Sequence, residues 1–71
     1  MTLAQRLKKA RTRKKMSMTQ VSLYSEMAGD PRGKITQGYI SRLESGKETN
    51  PSFHKIKTLC GIYGINPGRL F

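Results

Sequence analysis

The chain has 71 residues and a formal net charge of +10, with 14 Lys and Arg against four acids and an apolar fraction of 35%. One small core is all that such a composition supports, and a single cysteine with a single histidine excludes an internal disulfide and a four-ligand zinc site. No apolar run reaches bilayer length and no signal-peptide core follows Met1, so a cytosolic, reducing location is expected.

Leu3, Ala4, Leu7 and Ala10 recur at helical spacing behind Thr2, which predicts a first helix over residues 3–14. Half of the basic residues fall in the first fifteen positions (Arg6, Lys8, Lys9, Arg11, Arg13, Lys14, Lys15), and such a surface attracts polyanions through counterion release. Arg11 stands at the margin of the apolar stripe, where a charge needs a partner. Ser17-Met18-Thr19-Gln20 has the form of a capping box, and Val21, Ser25 and Ala28 follow at helical spacing, so a second helix is expected from about Met18 to Ala28. Gly29-Asp30-Pro31-Arg32-Gly33-Lys34 is a cluster of chain breakers.

After this break, Thr36 caps a helix over 36–45 that Gly46 ends in a left-handed turn. Ile40 and Leu43 form its buried edge. Gln37, Gly38, Ser41 and Arg42 occupy the opposite face, and side chains of this kind reach base edges in a DNA major groove. A glutamine amide fits the N6/N7 edge of adenine, and a guanidinium fits guanine O6/N7. The blander alternatives are an exposed Gln37 without a role, a Gly38 tolerated at a frayed terminus, and an Arg42 that binds phosphate or pairs with an acid. Ser52 predicts a fourth helix with Phe53, Ile56, Leu59, Cys60 and Tyr63 on one face, stopped by Gly64. Asn66-Pro67 predicts the start of a short fifth helix carrying Leu70 and Phe71. The fold class expected is a compact all-α bundle of five helices forming a single domain over 1–71. His54 is expected on the exposed face of helix 4, Cys60 in packing, and the four methionines as core filler. No nucleophile–base pair, carboxylate dyad or glycine-rich phosphate loop is recognisable, so neither enzymatic activity, a cofactor nor a small-molecule substrate is expected.

Four pieces together resemble the lambda-repressor/Cro type of helix-turn-helix domain over nearly the whole chain. They are Leu7-Lys8-Lys9-Ala10-Arg11, Met16-Ser17, Ile40-Ser41-Arg42-Leu43-Glu44-Ser45-Gly46-Lys47, and the tail from Pro51-Ser52-Phe53 to Gly64-Ile65-Asn66-Pro67. The resemblance implies five helices, a helix-turn-helix made by helices 2 and 3, and double-stranded DNA as partner, bound by two copies on an operator. It also implies a DNA contact from Gln37 and a structural pair between Arg11 and Glu44. Read from their own chemistry and place, Gly38, Ser41 and Arg42 join Gln37 as base-contact candidates, Thr36 and Tyr39 are placed for phosphate hydrogen bonds, and Lys34 and Arg32 on the inserted turn and Lys47 beyond the helix are phosphate candidates. Thr19 and Gln20 are further phosphate candidates.

Two departures from the family pattern stand out. About eight residues are inserted between Met27 and Ile35, enlarging the turn between helices 2 and 3. This insertion either bulges outward, where its basic residues touch DNA, or lengthens helix 2 or changes the crossing angle. The first position of helix 2 is Met18, where relatives carry a phosphate-binding glutamine. A sequence-specific transcriptional regulator, a repressor by analogy, is the reading the residues favour. An antitoxin that also binds a toxin protein and a non-specific nucleic-acid binder are the rivals.

Overall fold

The computed structural model describes residues 2–27 and 31–69. Four α-helices follow in chain order: α1 (Leu3–Arg13), α2 (Met18–Met27), α3 (Gln37–Ser45) and α4 (Phe53–Tyr63). Two 3-10 turns, Pro31–Gly33 and Pro67–Arg69, complete the described elements, which include no strand. The expected five-helix count is therefore corrected to four among the described residues. In place of a fifth helix, Asn66 Oδ1 accepts a hydrogen bond from the Gly68 N–H at 2.9 Å. Asn66 thereby caps the 3-10 turn Pro67–Arg69, and Gly68 at its second position is a poor former of a longer helix. Leu70, Phe71 and Ala28, all assigned to helices above, lie outside the described residues.

The caps follow local chemistry. Thr2 and Gln5 form a reciprocal capping box at α1, and Ser17 and Gln20 form one at α2, with bonds of 2.9 and 3.1 Å. Thr36 Oγ1 accepts from the Tyr39 N–H at 3.1 Å, and Gly46 ends α3 at φ 79°. That left-handed angle lets the N–H groups of residues 46–48 turn back onto the last carbonyls of α3, Arg42 above all. Ser52 precedes α4 without a side-chain cap bond.

Leu7 and Ala10 of α1, Val21 of α2, Tyr39, Ile40 and Leu43 of α3, and Ile56, Leu59, Cys60 and Tyr63 of α4 share one core with Ile35. Met16 and Met18 pack against it. Two expectations fail at the edges. Met27 is 78% exposed and Phe53 63%, so neither is core filler. Phe53 shares the face of Ile56 and Cys60 but stands in the first turn of α4, at the edge of the core, and Met27 ends α2 on the flank away from Val21 and Ser25.

Two serines hold α3 in place despite the enlarged turn. Ser25 is fully buried; its hydroxyl donates to the Ser22 carbonyl at 2.6 Å and accepts from the Ile35 N–H at 2.9 Å. Ser22 Oγ donates to the Ile35 carbonyl at 2.6 Å. Both backbone groups of Ile35 are thus satisfied by α2, one residue before the α3 cap. Pro31–Gly33 does not bulge outward. It folds back on α4, where Gly33 is buried so closely against Thr58 that a Cβ would collide with Thr58 Oγ1. Ser25→Ala strands the Ile35 N–H in the core, and a loss of about 1–3 kcal/mol is expected in urea denaturation. A loss below about 0.5 kcal/mol would show that the serine clamp does not fix the start of α3.

Candidate nucleic-acid interface

The inner side of α3 presents Tyr39, Ile40 and Leu43 to the core, so Gln37, Gly38, Ser41, Arg42 and Ser45 remain exposed on the outer side. This polar ridge is a consequence of periodicity: buried positions at i, i+1 and i+4 leave the rest of a short helix to solvent. Gln37 Oε1 accepts from the Thr19 hydroxyl at 3.4 Å, linking the first turns of α2 and α3. Thr36 is exposed at the α3 cap, and Lys34 and Lys47 are exposed on either side of the helix.

A Cβ at Gly38 would meet only Arg42 Nη1 at 3.8 Å and Thr36 Oγ1 at 4.0 Å. The unbound protein therefore has room for alanine there. Arg42 is half-exposed and held from two sides: its guanidinium lies 5.5 Å from the Tyr39 ring centroid, and Nε is 3.8 Å from Glu48 Oε2. Glu48 is a carboxylate beside the ridge that residue-by-residue reading did not connect to it. Its place depends on the turn after Gly46, which brings the Glu48 N–H to the Arg42 carbonyl at 3.2 Å.

Tyr39 turns its ring toward the core. Its ring is buried, and its hydroxyl oxygen accepts from the Ser52 N–H at 2.9 Å, which leaves the O–H proton for an outside acceptor. Lys55 Nζ lies 4.2 Å from the centroid of the same ring. A cation over an aromatic face is an attractive arrangement. It puts a positive charge from α4 next to α3, a neighbour not apparent from the chain order. Gln20 and Arg32, named above with the phosphate candidates, line a different surface: an open groove between α2 and α4 to which α3 contributes no residue. Successive helical residues turn by about 100°, so Thr19 toward α3 sends Gln20 to the other flank of α2.

Behind the ridge, Arg11 and Glu44 form a two-pronged ion pair, Nε to Oε2 at 2.7 Å and Nη2 to Oε1 at 2.9 Å. Arg11 Nη1 also donates to the Met16 carbonyl at 2.8 Å. The pair ties α1 to α3 and to the turn entering α2. The Glu44 hydrogen bond, joined by its charge, holds the Arg11 pKa above its ordinary value against the opposing effect of burial. Beside it, the Tyr63 hydroxyl is buried without a hydrogen-bond partner. Burial, helped by the Glu44 charge, pushes the Tyr63 pKa well up, and burial also raises that of the Cys60 thiol. Among the described residues, no group of three or more His, Cys, Asp or Glu is placed to hold a metal ion, and no helix is long and apolar enough to cross a membrane.

A polar, cation-flanked helix whose start is fastened to the preceding helix by two serines, and which an ion pair ties to α1, defines a helix-turn-helix arrangement. The chain belongs to an XRE-like helix-turn-helix domain family, whose model, described as "Helix-turn-helix domain", matches residues 4–71. Comparison with curated proteins gave no match, and neither did comparison with solved structures. Membership of this family points to DNA binding as the general activity.

Proposed function

We propose that the protein is a sequence-specific regulator of transcription, acting as a repressor, that reads the major groove of double-stranded DNA with α3. The observation that carries this reading is the exposed ridge Gln37-Gly38-Ser41-Arg42 on a helix whose other side is locked into the core. Gln37 and Arg42 supply the amide and the guanidinium for adenine and guanine edges, Ser41 a hydroxyl, and Gly38 a place where backbone approaches the bases. Thr19, Thr36, Lys34, Lys47, Lys55 and the remaining proton of Tyr39 surround the ridge as phosphate contacts that set register.

Two copies bind adjacent half-sites. The described residues measure 30 × 25 × 23 Å, so neighbours one helical turn apart, about 34–36 Å, fit side by side on one face of the duplex. The charge of +10 supports a strong electrostatic component. A protein that neutralises 6–10 phosphates loses about 10³–10⁵ in affinity between 50 and 200 mM salt. Selection of bound duplexes from a random pool tests the proposal: enrichment of one two-fold-related motif is expected, with binding that weakens steeply as salt rises. A pool that stays random after repeated rounds, while binding persists, would refute sequence reading.

A further inference from the structure

Away from α3, the flank of α2 that carries Gln20 continues through Leu23, Tyr24 and Met27, the i, i+3, i+4, i+7 positions of one helical face. Leu23 is 56% exposed, Tyr24 51% and Met27 78%, an unusual amount of uncovered apolar surface on so polar a chain. This stripe runs into an open groove of about 820 Å³ between α2 and α4. Four cationic side chains line it, Lys14 and Lys15 from the end of α1, Arg32 from the 3-10 turn and Lys57 from α4, with no carboxylate among the lining residues.

We infer that the α2–α4 groove is a docking surface for an acidic amphipathic helix of a partner protein. The apolar spacing on α2 is what a helix laid along it would match with its own i, i+3, i+4, i+7 anchors. The surrounding cations select a partner helix whose other positions are Asp and Glu, and steer its approach. A second copy of this chain does not suit the groove, because it would bring a charge of +10 against the same lysines. Nucleic acid satisfies the cations but offers a charged backbone to Leu23 and Met27. Since α3 contributes nothing to the groove, the partner helix and a duplex can be held at once.

The test is selection from a displayed library of sixteen-residue helical peptides randomised over apolar, acidic, basic and neutral residues. Enrichment of peptides with an apolar stripe and an acidic remainder is expected. Binding of the enriched peptides is expected to weaken at least tenfold on Leu23→Ser and on Lys57→Glu, two exposed positions, with duplex binding by Leu23→Ser unchanged. Their amide-shift footprint should fall on residues 20–27 and 54–62. The inference is overturned by any of four results: no enrichment, enrichment without acidic character, a footprint centred on 37–45, or scrambled acidic peptides that bind equally well. Displacement of the peptides by a short duplex at equal concentration would likewise assign the groove to nucleic acid and overturn it.

Discussion

Glu44→Ala is expected to lower stability by about 3 kcal/mol, the lower end of the range for breaking a buried ion pair by removing one partner. The two side chains are 13% and 4% exposed, and the carboxylate accepts both prongs of the Arg11 guanidinium. Removing Glu44 leaves the Arg11 charge with the Met16 carbonyl as its one remaining bond among those described above. A chain of this length has on the order of 4–10 kcal/mol in total, at ~0.05–0.15 kcal/mol per residue, so the variant loses a large share of its folded population on mild warming. Guanidinium denaturation of Glu44→Ala, Arg11→Met and the double variant measures the coupling. The double variant should recover part of the loss, because exchanging both charged partners for apolar groups leaves no orphaned ion. A Glu44→Ala loss under about 1 kcal/mol would mean that the pair behaves as a surface bridge.

Arg42 and its neighbours give the largest expected effects on DNA binding, and the effects have opposite signs. Arg42→Ala should flatten the preference at one base pair by about 1–3 kcal/mol while leaving the others intact. Lys47→Ala should weaken all sequences about equally and reduce the salt slope by about 1. Glu48→Ala should strengthen binding on every sequence by several-fold. Glu48 presents a carboxylate beside the ridge and stands 3.8 Å from Arg42 Nε, so its removal both frees the guanidinium and removes a repulsion of phosphate. The pair itself is half-exposed and worth no more than about 1 kcal/mol, which keeps the gain modest. Measurement on the selected motif and on single-base variants separates these outcomes. Equal losses from Arg42→Ala and Lys47→Ala on every sequence would remove Arg42 from base reading, and weaker binding by Glu48→Ala would show that Glu48 positions Arg42 productively.

Periodicity and capping chemistry were enough to locate α1, α2, α3 and α4 to within a residue or two, because each helix carries its own start signal and apolar face. Ile40 and Leu43 on one side and Gln37, Ser41 and Arg42 on the other follow from the same period. The fifth helix did not follow: Asn66 and Pro67 do start a 3-10 turn, but a start signal does not say how many residues come after it. Met27 and Phe53 were misjudged because hydrophobic character alone says neither which flank of a helix meets a neighbour nor how far toward the helix end that neighbour reaches.

By itself, then, the sequence determined the helices, the strong positive charge and the polar ridge of α3, all of which depend on residues near one another in the chain. Tertiary structure decided the rest: that Ser22 and Ser25 fasten Ile35 across the enlarged turn, that Glu48 and Tyr39 flank Arg42, and that Gln20 and Arg32 belong with Lys14 and Lys57 rather than with α3. Spacing along a helix specifies which residues share its face, but which faces meet is set by packing between segments distant in sequence, and no local signal carries that information.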